Sequence, residues 1–151
     1  MAELKERLRA DLHAAMRARD QVRMRTLRMA LTSITNEEVA GASARDLTDD
    51  EIVKVLTREA RKRREAAEAF STAGRGDQAA AERAEGEVLA GYLPAQLSDD
   101  ELAALVDAAI AETGASGMAS MGQVMKTVTP TVARRADGAR VAAEVRRRLS
   151  G

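Results

Sequence analysis

The chain has no cysteine and no tryptophan, and only one histidine, one tyrosine and one phenylalanine among 151 residues. Without cysteine there is no disulfide, no thiolate nucleophile and no thiolate metal ligand. His13 alone would have to serve any Ser-His-Asp chemistry, and it sits mid-helix between Leu12 and Ala14. A zinc site would need carboxylates for nearly every ligand, which disfavours one. The scarcity of aromatics removes the platforms on which proteins stack unpaired bases. Two prolines leave long stretches uninterrupted. Strand-like alternation is missing, and so is any apolar run near the ~20 residues needed to span a bilayer. The phosphate-cradling patterns GxxxxGK[ST] and GxGxxG are also missing; AGRGD (73–77) has the wrong spacing and reads as a turn. The opening residues MAELKERLRADL are charged too often for a signal peptide. The expectation is a soluble, cytoplasmic protein with no cofactor, no metal, no membrane partner and no catalytic residue of its own.

What remains is alanine, leucine, valine and methionine, side chains that pack helices closely and suit sheets poorly. The fold expected is all-α: a four-helix N-terminal region over 1–93 and a small three-helix domain over 94–151. The first helix runs from about Ala2 to Arg19, with Leu4, Leu8, Leu12, Ala15 and Met16 inward. The second starts at the cap Asp20, buries Met24, Leu27, Leu31 and Ile34, and fades at Gly41. Thr48 and Glu51 form a capping box that opens the third, which Gly74 stops. Asp77 is expected to cap the fourth. In YLPAQLSDDEL (92–102), Pro94 disfavours helix at Leu93, and Ser98 with Glu101 forms a second capping box. In MGQVMKTVTP (121–130), Met121, Val124, Met125 and Val128 share one helix face that Pro130 closes or kinks. Gly122 in that helix suits a close approach, by a packed neighbour or by a phosphate. Asp137 caps the last helix, where Val141, Val145 and Leu149 face inward.

Acidic and basic residues balance, 24 against 24, but unevenly along the chain. The acids of 49–51 and 99–101 lie in first helical turns, where the helix dipole favours them, so capping explains them better than a carboxylate dyad. In REARKRREAAE (58–68) the i,i+4 spacing pairs Glu59 with Arg63, Arg61 with Glu65 and Arg64 with Glu68, a solvated face. That face could still touch phosphates, as could Arg17, Arg19, Arg23, Arg25 and Arg28 around the first turn. Residues 126–151 hold seven bases against Asp137 and Glu144, whereas 94–125 hold five acids and no base.

YLPAQLSDDEL, MGQVMKTVTP and ADGARVAAEVRRRL, in this order and spacing, resemble the GatB/YqeY family. That family comprises stand-alone helical proteins and the tail domain of the B subunit of the tRNA-dependent amidotransferase. The resemblance implies a tRNA-binding or translation-associated module, non-catalytic by itself. It also implies kinship with glutamine-dependent carbon–nitrogen ligases, whose catalytic parts this chain lacks. Lys126 and Asp137-Gly138 match the family's motifs. The RNA-binding residues expected are Lys126, Arg134, Arg135, Gly138, Arg140 and Arg147. The alternative partner is a protein, with the chain docking an amidotransferase-like or tRNA-modifying complex.

Overall fold

The computed structural model describes residues 2–150, and among these it contains seven α-helices, one 3-10 turn and no strand. The all-α expectation holds. The chain divides into two compact units that meet between Leu93 and Pro94.

The first unit is built from α1 (Glu3–Ala18), α2 (Gln21–Glu38), α3 (Asp49–Thr72) and α4 (Gly76–Ala90). Leu8, Leu27, Ala30, Ile34, Ile52, Leu56 and Leu89 form its core, with Leu47 and Tyr92 closing it. Asp20 caps α2 by accepting from the Arg23 N–H, and the Thr48–Glu51 capping box opens α3. Gly74, at φ 75°, turns the chain out of α3 in the left-handed region that glycine enters without penalty. One buried ion pair joins distant segments. Lys5 Nζ lies 2.7 and 2.9 Å from the two Glu38 carboxylate oxygens, and the Leu47 N–H donates to the same group at 3.2 Å.

Four details of this unit depart from the sequence reading. Met16 is 44% exposed rather than inward. α2 ends at Glu38, where the carboxylate and the backbone carbonyl bind Leu47 and Arg45 and redirect the chain. α4 begins at Gly76 with Arg75 at its cap position, so Asp77 lies in the first turn and caps nothing. The 58–68 stretch is only partly a solvated face. Glu59 is buried, accepts from Ser33 Oγ at 3.1 Å and pairs with Lys62 and Arg63, while Arg63 reaches Glu85 of α4 at 2.9 Å.

The second unit is built from α5 (Asp99–Thr113), a 3-10 turn (Met118–Ser120), α6 (Met121–Val132) and α7 (Gly138–Ser150). Each helix packs on the other two. Leu102, Val106, Val124, Val128, Val132, Val141 and Val145 form the core, with Leu97 and Ala136 at its margin. Ser98 and Glu101 form the capping box of α5, Gly114 ends that helix at φ 66°, and Asp137 accepts from the Arg140 N–H at 2.9 Å. Pro130 does not close α6. It lies inside the helix, which runs on to Val132, and the Ala133 N–H still bonds the Thr129 carbonyl. Nor is Gly122 a close-packing glycine: it is exposed, and a Cβ built there would meet nothing within 4 Å.

Candidate functional site

The six residues expected to contact RNA belong to α6, α7 and the turn between them. The turn is tight. The Arg135 N–H donates to the Val132 carbonyl at 3.1 Å, and Ala133 sits at φ 52°, ψ −119°. These angles are those of the first corner of a type II′ turn, where the positive φ favours glycine. An alanine there stores strain, on the order of 1–3 kcal/mol for such a residue. The turn is held from outside itself. The Leu97 N–H donates to the Arg135 carbonyl at 2.7 Å, and Gln96 Nε2 donates to the Arg134 carbonyl at 3.2 Å. The segment leading into α5 thus grips the backbone of both arginines, and Ala136 is buried immediately after them.

Arg134, Arg135, Gly138 and Arg140 therefore gather at one corner, where α6 ends and α5 and α7 begin. Arg135 is exposed, and its Nη2 donates to the Thr131 carbonyl at 3.4 Å. Gly138 opens α7 with nothing within 4 Å of where a Cβ would stand. Arg140 is not free at this corner: its Nη2 lies 2.9 Å from Asp99 Oδ1 in the first turn of α5. Lys126 lies two turns before the end of α6, exposed, with no ion pair among the described residues. It is one turn from Gly122 on the same helix face.

Arg147 stands apart, two turns along α7 from Arg140. Its guanidinium forks onto Glu144 at 2.7 and 3.1 Å, and Arg148 shares the same carboxylate at 3.1 Å. These hydrogen bonds, Arg147 first, hold the Glu144 carboxyl below its ordinary range against the desolvation that opposes them. Arg148 also approaches Asp107 of α5 at 3.4 Å. The basic excess of the C-terminal stretch is thus offset by the acids of α5 and α7. Residues 94–151 carry seven bases and seven acids.

Elsewhere the described residues offer little for catalysis. No three His, Asp or Glu side chains converge to hold a metal ion, and His13 is exposed on α1. A groove of about 470 Å³ between α2 and α3 is lined by Glu37, Arg45, Glu51, Lys54 and Arg58. Its arginines are engaged by its own acids: Arg45 forks onto Glu51, whose carboxyl is held down to about 2, and Arg58 meets Glu37 at 3.6 Å. Among the described residues no helix is long and apolar enough to cross a membrane.

The arginines are visible in the sequence, but the turn that holds them is not. Ala133 carries no signature, since nothing in an alanine announces positive φ. The Asp99–Arg140 and Asp107–Arg148 pairs were equally hidden, because each joins residues 41 apart. No curated protein matches the chain. A family model described as Yqey-like protein matches residues 5–149, and the chain belongs to that YqeY family.

Proposed function

We propose that the chain is a non-catalytic module that binds tRNA or another structured RNA by its phosphate backbone. In this reading Lys126, Arg134, Arg135, Gly138, Arg140 and Arg147 form the contact. The strained turn at Ala133 is the observation that carries it. Backbone strain persists only where surrounding structure over-determines it, and such positions cluster at functional sites. Here the hydrogen bonds from Leu97 and Gln96 hold the strained backbone from which Arg134 and Arg135 project.

Two further features support the reading. Gly122 and Gly138 leave helix backbone open to a close approach, although Gly122 costs α6 up to about 1 kcal/mol relative to alanine. With Tyr92 buried and Phe70 half-buried, no aromatic platform is offered to bases, so recognition rests on shape and phosphates. The resemblance to the amidotransferase tail domain points the same way, with the ligase chemistry belonging to other chains. Arg140 and Arg147 are pre-held by Asp99 and Glu144 and exchange a carboxylate for a phosphate on binding.

Titration with bulk tRNA at several salt concentrations tests the reading. Each phosphate neutralised contributes a slope of about −0.7 to −0.9 in log affinity against log salt. The Lys126→Gln/Arg134→Gln/Arg135→Gln variant is expected to flatten the slope by roughly 2 to 2.7. Binding that ignores salt, or a variant that binds as the unchanged protein does, contradicts it.

A second reading is favoured by one feature of α6. Met118 is 45% exposed, and Met121 and Met125 are half-buried on either side of the open Gly122. Methionines around a glycine suit the docking of a partner helix, the surface a protein–protein adaptor would use. Salt-insensitive recovery of a protein partner, lost on Gly122→Leu, would favour it.

A further inference from the structure

The arginine cluster around the first turn is not used by the corner described above. Residues 16–28 hold five arginines and one acid, Asp20. That acid is occupied as the cap of α2, accepting from the Arg23 N–H at 3.1 Å. Two of the arginines have internal work. Arg25 pairs with Glu85 at 2.8 Å, and Arg23 donates to the Tyr92 hydroxyl at 3.4 Å.

Arg17, Arg19 and Arg28 do not. All three are exposed, and among the described residues none makes an ion pair or a side-chain hydrogen bond. This sets them apart from the cations paired within their own unit, such as Arg25, Arg58 and Arg63. Arg17 in the last turn of α1 gains from the helix dipole. Arg28 lies seven residues into α2, about 10 Å from its start, where the dipole offers it nothing. Arg19 ends α1 at φ 56°, a left-handed position that favours glycine or asparagine. The backbone therefore gives no reason for arginine at 19, and neither the core nor a carboxylate gives one at 28.

We infer that Arg17 and Arg19 at the tip of the α1–α2 hairpin, with Arg28 about 10 Å along α2, form a second phosphate-binding surface for the backbone of the same RNA. The inference rests on the RNA reading above but on a different unit of the chain. Met16 is the one large apolar side chain exposed on these two helices before Val39. A surface so poor in apolar groups suits a hydrated polyanion rather than insertion into lipid.

The test is tRNA titration between 50 and 200 mM salt with the full chain. Three variants are compared: Arg17→Gln/Arg19→Asn/Arg28→Gln, the same three sites changed to lysine, and the Lys126/Arg134/Arg135→Gln variant. Three lost phosphate contacts should make the slope shallower by roughly 2 to 2.7. The unchanged protein would then lose about 20- to 40-fold more affinity across this salt range than the hairpin variant. The lysine variant should retain most of the slope, because phosphates are read here as charge. The hairpin variant should stay folded and melt close to the unchanged protein, since none of the three side chains has an internal partner and asparagine at the left-handed position 19 offsets the lost dipole contact of Arg17. A hairpin variant that binds like the unchanged protein, while the corner variant is flattened, overturns this inference and leaves the RNA reading standing. Absence of salt-dependent binding by the unchanged protein overturns both. Loss of the slope in the lysine variant also overturns it, because the contact would then not be one of charge.

Discussion

Arg140 of α7 and Asp99 of α5 lie 2.9 Å apart, and eight residues further along both helices Arg148 and Asp107 lie 3.4 Å apart. Equal steps on both helices mean that α5 and α7 run side by side in the same direction, with α6 returning between them. The acids of α5 thereby hold two arginines of α7. Asp99 is almost wholly exposed, and exposed ion pairs are weak. Replacing it with asparagine should release Arg140 and tighten RNA binding by roughly 1.4- to 5-fold, the range for such a pair. Competition titrations of the two proteins against the same tRNA check this. Weaker binding by Asp99→Asn would mean that the pair orients Arg140 rather than restrains it.

The turn at Ala133 makes a prediction independent of RNA. Glycine adopts φ 52°, ψ −119° without the steric penalty an alanine bears. Relief of about 1–3 kcal/mol of strain is opposed by about 0.4–1 kcal/mol of extra unfolded-chain entropy. Ala133→Gly should therefore raise stability by roughly 0.5–2 kcal/mol, read from urea or thermal unfolding. An Ala133→Val variant should lose stability, because a branched side chain is still less tolerant of that corner.

Tyr92 is the only tyrosine, so its titration can be followed directly by tyrosinate absorbance. Burial and then the Asp11 carboxylate, which accepts the phenol proton at 2.5 Å, push its pKa up to about 12. A raised pKa contributes stability that is intact below the ordinary value of 10 and lost as pH rises towards about 12. The absorbance midpoint should fall near that upper value. Tyr92→Phe should remove the alkaline limb of the stability profile between these two pH values. A midpoint at the ordinary phenol value would contradict the packing of Tyr92 against α1.

The Lys5–Glu38 pair contributes on the acid side. The Lys5 ammonium and the Leu47 N–H hold the Glu38 carboxyl below its ordinary 4.5, outweighing the burial that opposes them. A depressed carboxylate contributes stability that is present above that value and lost as pH falls through the lowered one. Glu38→Gln leaves Lys5 charged and buried and should cost about 3–5 kcal/mol. A Lys5→Met/Glu38→Leu variant removes both charges. It should be more stable than Glu38→Gln alone and less sensitive to acid. Urea unfolding at neutral and acidic pH measures both effects.

What could be read from the chain was what is local. Thr48 with Glu51, and Ser98 with Glu101, are three-residue patterns whose geometry the helix start dictates, and both boxes form. The valines of α6 and α7 fall on one face because the helical period places them there. Non-local relations were not legible. Glu59 matched an i,i+4 partner, yet its carboxylate also accepts from Ser33, 26 residues away. Pro130 carries a stop signal, but α6 runs on for two residues to Val132 despite the missing N–H. Gly122 suggested a packed neighbour, and the structure leaves the space over it open. The arginines of the candidate site were visible as charge, while their carboxylate partners and the Ala133 turn depend on how three helices meet.

Hydrogen exchange of the backbone amides, with and without tRNA, tests the central claim most directly because it locates the contact residue by residue. Exchange should slow at 131–140 when tRNA is bound, with the effect fading as salt is raised. Slowing at 17–28 in the same experiment would mark the hairpin contact. Unchanged exchange across 131–140 in the presence of bound tRNA would contradict the account.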